Sequence, residues 1–326
     1  MSLALPPSPP LSPKRRFLSA LLGGNPDRMP VGNVVSIVTI ELMRTSDAWF
    51  PRAHWEASSM AQLAAAGHTV LGYDAVMPVF GVTQEAASLG CDVDWGASDM
   101  MPGVRSHPFA AVEHPHLPDG WLKAPSIVVV LEALQCLRRE KGHNVAIVGK
   151  AMGPWSLSYH MMGIEEFLIC TKTDPDRARR SLETLKEVTI AFGRAQMQAG
   201  ADLVCVADHI TGGMVSPLVY RDMVLPIHQE IVRRLGCPTV LHCCGNTTDR
   251  VKYFAQAGFD CYHLESQVAL PSAVSDATGH MSLMGNINNP QTLLQGDPAE
   301  VAAACQRALD GGIQILSPEC AVPLTT

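Results

Sequence analysis

Val240-Leu241-His242-Cys243-Cys244-Gly245-Asn246 reads as a short apolar strand, entered through Gly236-Cys237-Pro238 and left through a Gly-Asn turn. Side chains two apart on a strand point the same way, so His242 and Cys244 project together and Cys243 faces the opposite side. A His and a Cys converging at a strand end make half of a soft metal site. Far along the chain, Ser317-Pro318-Glu319-Cys320 ends a second apolar strand, Ile313-Gln314-Ile315-Leu316. If both strands belong to one parallel barrel, their C-terminal ends open on one face. His-x-Cys with a distant Cys is then a three-ligand zinc site with one open or exchangeable position, the catalytic pattern.

The rest of the chain supplies the barrel. Strands are expected over residues 69–76, 145–151, 203–207, 239–243, 259–264, 280–284 and 313–316, with residues 31–40 as the first strand or its lead-in. Helices are expected over 14–22, 54–67, 124–141, 164–171, 174–199, 217–235, 247–257, 271–277 and 297–310. Strands alternating with helices imply βαβ units and a parallel sheet. About eight strands favour an α/β fold of the (β/α)₈ TIM-barrel type over an open doubly wound sheet. No Gly-x-Gly-x-x-Gly follows the first strand, which weighs against a dinucleotide fold. Residues 85–120, rich in Pro, Asp and Gly, read as an insertion after the second strand. Residues 1–13 read as a disordered Pro-rich lead-in, and 14–326 as one barrel domain. The chain ends at Thr326, just after the last strand, which leaves no room for a closing helix. Either the chain is shortened, or a neighbouring subunit of a homo-oligomer covers that strand.

Composition narrows the function. The chain has 326 residues, 47% of them hydrophobic and 17% charged, enough for a large core. A formal net charge of -7 with no basic block argues against a nucleic-acid partner. Apolar runs such as Ile127-Val128-Val129-Val130-Leu131 are too short to span a bilayer, and no signal-peptide core opens the chain. Most of the ten Cys lie in expected strands or helices with no paired spacing, which points to a reduced, cytoplasmic protein.

In a barrel the strand C-termini build the site. Here they offer Asp74, Met152, Asp208-His209, His242 with Cys244, Glu265, Asn286 and Cys320. Glu265 is the expected fourth metal ligand, a carboxylate that a softer thiolate can displace; its plainer reading is an N-cap or an ion pair. Asp208 and His209 read as acid/base groups or as partners fixing the His242 tautomer, with a turn Asp and a structural His as the alternative. Tyr159-His160, after Gly153-Pro154-Trp155, lines the pocket or only packs. Tyr159, His160, His209 and Asn286 are the expected cofactor-binding residues, and His242, Cys244, Cys320, Glu265 and Asp208 the catalytic ones.

Asp27-Arg28-Met29-Pro30-Val31, Gly153-Pro154-Trp155-Ser156-Leu157, the His242-x-Cys244 strand and Cys320 together resemble the uroporphyrinogen decarboxylase superfamily. More closely they resemble its corrinoid methyltransferase branch, typified by methylcobamide:coenzyme M and chloromethane methyltransferases. The resemblance runs from about residue 14 to the end. It implies a barrel with catalytic zinc on His242, Cys244 and Cys320, and a carboxylate falling on Glu265. The decarboxylase pattern fits worse. Residues 29–43 hold no Arg or Lys, the position of its key aspartate falls on Gly81, and its tyrosine falls on His160. Within the methyltransferase branch the chain departs by carrying no corrinoid domain, so the corrinoid is expected from a separate protein or as free cobamide.

The resulting expectation is zinc-dependent methyl transfer between a corrinoid and a thiol such as coenzyme M, or the reverse charging of a corrinoid from a methylated small molecule. The rivals are a porphyrinogen decarboxylase, which needs no metal, and a non-catalytic paralogue.

Overall fold

The computed structural model describes residues 10–326; the rest of the expected lead-in lies outside them. Residues 10–13 belong to the fold. The Leu11 N–H donates to Asp27 at 2.9 Å, and Ser12 caps a helix that starts at Pro13.

A curled sheet of seven parallel strands carries the chain. In chain order they are β1 (Ala75–Val76), β4 (Ala146–Met152), β5 (Leu203–Ala207), β6 (Thr239–His242), β7 (Cys261–His263), β8 (Ser282–Ile287) and β9 (Ile315–Pro318), and they neighbour one another in that same order. Between β1 and β4 a separate antiparallel pair forms from β2 (Val93–Asp94) and β3 (Gly103–Val104). Helices cover the outer face, so β4, β5 and β6 are buried along their whole length and read as continuous apolar runs instead of alternating ones. Because every pairing is parallel, all seven C-terminal ends meet at one mouth.

Seven strands replace the expected eight, and residues 31–40 are the difference. Val31 makes one parallel bridge to Leu316. The chain then runs irregularly, with Val34, Val35 and Val38 buried, into a helix over Ile40–Ser46 capped by Thr39. Its apolar character comes from packing, not from sheet pairing.

Three other boundaries moved for local reasons. The helix Ala57–Thr69 runs through Gly67, where a side chain would meet Ile37 Cδ1 at 2.4 Å. That glycine permits close packing and does not end the helix. β1 therefore starts only at Ala75, and Asp74 lies at the opposite end of the sheet from the mouth. There Asp74 accepts from Arg16 (2.8 Å), Arg28 (3.0 Å) and the Val31 N–H (2.9 Å). The expected helix 217–235 is interrupted. Pro226 has no N–H to return, and the ladder widens to a π turn over Tyr220–Val224 before Leu225–Leu235. Among the described residues no helix is long and apolar enough to cross a membrane.

The sequence also hides a helix at Pro154–Met162. Pro154 sits where a helix tolerates proline best, in its first turn. The helix has no local cap, because its cap comes from Asp208, more than fifty residues away.

Candidate metal centre

β6 and β9 end at the same mouth with β7 and β8 between them in the sheet, and the residues at and just beyond their ends meet. His242 Nε2 lies 3.1 Å from Cys244 Sγ, Cys244 Sγ 3.3 Å from Cys320 Sγ, and Cys320 Sγ 3.6 Å from His242 Nε2. This is the group among the described residues that could hold a metal ion. A tetrahedral zinc with ordinary bond lengths would set such edges at roughly 3.5–3.8 Å, so the triangle needs only slight opening. One imidazole and two sulfurs form a soft set that favours zinc over the hard oxygen-seeking cations. All ten cysteines are free, so neither sulfur is spent on a disulfide. The two thiols share a hydrogen bond. Cys320, bonded to Cys244 and His242, is drawn towards thiolate, while that same bond and burial push Cys244 up.

Cys243 faces away, buried, with its thiol pushed up to about 12 by burial. Glu265 is not in the group. β7 ends at His263, so Glu265 lies two residues beyond the strand, bonded to the Gly245 backbone and 3.5 Å from Gln267. Burial holds its carboxyl above the ordinary range. The carboxylate that does tie the mouth together is Glu319, which accepts from the Ser266 N–H at 2.8 Å and the Asn289 N–H at 2.9 Å.

Asp208 is engaged elsewhere than expected. Its carboxylate accepts from the Ser156 N–H at 2.7 Å and the Trp155 N–H at 3.4 Å, and meets His228 Nε2 at 3.0 Å. It thus caps the helix Pro154–Met162 and pairs with His228, so it does not fix the His242 tautomer. His242 Nδ1 has no hydrogen-bond partner among the described residues. Gly153 makes the cap feasible, since a side chain there would meet Asp208 Cγ at 2.2 Å.

The triangle opens on a cavity of about 380 Å³. Tyr159, His160, Asp208 and His209 line it, along with Phe80, Val82, Met101, Pro102 and Met152. Tyr159 accepts from Trp155 Nε1 at 2.6 Å, and burial lowers His160 to about 4 and His209 below its ordinary value. Asn286 lies on β8, level with Ser317, and does not line the cavity.

Two further residues escaped the sequence reading. His263 is buried with its ring 4.7 Å from that of His242 and bonds the Pro318 carbonyl at 2.8 Å; burial lowers it to about 3. Lys150, on β4, is 2% exposed and lines the cavity. A lysine inside the wholly buried run Ala146–Met152 was the signal that could have found it.

Known proteins resemble the chain over nearly its whole length. A methylated-thiol:coenzyme M methyltransferase of Methanosarcina mazei is 31% identical over 97% of this chain and 86% of its own. A methylcobamide:CoM methyltransferase of Methanosarcina acetivorans is 31% identical over 95% of this chain and 93% of its own. The solved structure of a methyltransferase from Methanosarcina mazei superposes with a TM-score of 0.93 at 30% identity, covering 97% of this chain and 95% of that one. The uroporphyrinogen decarboxylase (URO-D) family model matches residues 12–326, and the chain belongs to that family.

Proposed function

We propose that the chain is a zinc-dependent methyltransferase that moves a methyl group between a corrinoid and a thiol such as coenzyme M. The observation that carries this reading is the His242–Cys244–Cys320 triangle at the mouth of a mostly apolar cavity. These three side chains would hold zinc, which when bound supplies a Lewis-acid centre that keeps a substrate sulfur as thiolate near neutral pH. The relatives' names, a methylated-thiol and a methylcobamide:CoM methyltransferase, support the same chemistry here.

The protein's own residues do the rest. Phe80, Val82, Met101, Pro102 and Met152 exclude water from the reacting sulfur, and Trp155 fixes the Tyr159 hydroxyl at the cavity wall. The mouth holds sulfur and methyl carbon face to face, which supplies proximity. A carbon–sulfur bond forms as the carbon–cobalt bond breaks, the electron pair stays with cobalt, and the thiol proton leaves to solvent. The corrinoid comes from outside these residues, on a partner protein or as free cobamide.

A porphyrinogen decarboxylase fits the cavity less well. Among its lining residues Lys150 is the one Lys or Arg, and a polycarboxylate would leave most of its charges unpaired.

We further infer a (β/α)₈ barrel closed through residues 30–32, with residues 85–120 inserted after its second strand. Gly32 N–H donates to Leu316 O and Leu316 N–H to Pro30 O on one side, and Asp74 N–H to Val31 O on the other.

The test is metal analysis followed by a methylcobalamin assay with a thiol. About one zinc per chain and thiol-dependent loss of the methyl–cobalt absorbance are expected. Zinc-replete protein that leaves methylcobalamin intact with coenzyme M, homocysteine and simple thiols would end the thiol-acceptor reading.

A further inference from the structure

Lys150 is a buried lysine without a counterion. It sits on β4 two residues before Met152, so both side chains face the same side of the strand, and both line the cavity that holds His242, Cys244 and Cys320. Its Nζ makes no hydrogen bond or ion pair among the described residues; burial lowers its pKa, and the longer-range charges of Cys205, Glu85, Cys320 and Cys244 only partly oppose that. Glu85 does not balance it. One carboxyl oxygen of Glu85 accepts the Met152 N–H at 2.8 Å, and burial pushes the group towards its neutral form. His54, which feels the Lys150 charge, also has a buried Nε2 without a partner. Burying an ammonium unpaired is costly, and a side chain so placed in a cleft marks a binding site that a ligand completes.

We propose that Lys150 selects the acceptor by holding the anionic far end of a short mercapto-acid, a sulfonate or carboxylate, while its thiol end lies at His242, Cys244 and Cys320. The inference rests on the methyl-transfer reading and deepens it to the residue that recognises the acceptor's anionic end. The apolar cavity walls offer a second charge no competing cation, which limits the acceptor to one anionic group. A lysine that merely accepted the thiol proton would treat anionic and neutral thiols alike.

The test is calorimetric binding to the zinc-loaded protein of 2-mercaptoethanesulfonate, 3-mercaptopropionate and 2-mercaptoethanol, without any corrinoid. Wild type should bind the better of the two acids about 10- to 100-fold more tightly than the alcohol, the worth of a charge-assisted hydrogen bond. Which acid wins tells sulfonate from carboxylate. Lys150→Met should bring that preference to within about threefold of parity at unchanged zinc content, and Lys150→Arg should restore much of it. In turnover, Lys150→Met should raise the KM for the preferred acid far more than the KM for 2-mercaptoethanol. Wild type that does not discriminate, or Lys150→Met that still does, overturns the proposal. If Lys150→Met does not fold, the wild-type preference and competition by thiol-free ethanesulfonate decide it: no displacement of the bound acid by ethanesulfonate counts against Lys150. Protein that discriminates thiols yet leaves methylcobalamin intact sinks the methyl-transfer reading alone; turnover without discrimination sinks the role of Lys150 alone.

Discussion

Replacing Asp208 by alanine removes three hydrogen bonds at once. The Ser156 and Trp155 N–H groups lose the cap of the helix Pro154–Met162, and His228 loses its acceptor in a site where both side chains are fully buried. Losing an N-cap costs about 1 kcal/mol. Losing a hydrogen bond to a charged group costs about 1.5–3 kcal/mol, and the buried His228 donor left behind adds a further penalty. The sum is about 3–5 kcal/mol, the range for breaking a buried pair. At roughly 2.1 cal/mol/K per residue, unfolding entropy for this chain is about 0.7 kcal/mol/K, so Asp208→Ala should lower Tm by about 4–7 °C. Asp208→Asn is a milder change. Its amide oxygen can still accept from Ser156, and its NH₂ can donate to His228 Nε2 if the imidazole changes tautomer and donates from Nδ1 to Tyr220, 3.1 Å away. The mismatch left at Trp155 makes this about 1–2 kcal/mol, or about 1–3 °C. Differential scanning calorimetry separates the two variants. Metal analysis and the methylcobalamin assay should find Asp208→Asn zinc-loaded and active within a few-fold of wild type. A folded, zinc-loaded Asp208→Asn slowed by about 100-fold, the size of a lost general acid or base, would refute the capping role and restore Asp208 as a proton carrier.

The same geometry sets three further expectations. Cys244→Ser should lose most of the zinc and Cys243→Ser should keep it, by elemental analysis, because Cys243 faces away from the triangle; the opposite pattern would mean the wrong sulfur has been assigned. Glu265→Gln should retain about one zinc per chain, since its carboxylate lies outside the ligand group. Zinc loss to below half occupancy would place Glu265 in the coordination sphere. His54 is buried against Phe50 at 4.1 Å with its pKa lowered from 6.5 to about 4 by burial. The unfolded chain therefore binds that proton first. The stability is fully present above pH 6.5 and is lost as pH falls towards 4, by about 2 kcal/mol at pH 5. His54→Leu should flatten the Tm difference between pH 7.5 and pH 5; an undiminished difference would show that another group carries it.

How much of the site could be read from the sequence depended on whether a residue's role is decided within its own strand. His242, Cys244 and Cys320 could be found because soft-metal chemistry restricts the residue types and a period of two assigns the face. Most strands fell within two residues of their places, since helices on the outer face force near-continuous apolar runs. Roles that depend on a distant partner were not legible. Asp208 looked catalytic because it stands at a strand end, yet the helix it caps begins at Gly153-Pro154, which reads locally as a turn. Asp74 looked like a mouth residue because Gly67 reads as a helix stop, when close packing on Ile37 is what requires it. Glu265 was assigned from a strand expected to run to residue 264, but β7 ends at His263, so strand alternation no longer sets where Glu265 points. Lys150 is the reverse case. No motif contains it, and its only local mark is being the wrong residue type for a strand buried on both faces. Burial disfavours the ammonium at that position, and an anion from outside the chain would restore it, which is why the search for the acceptor thiol should begin with anions.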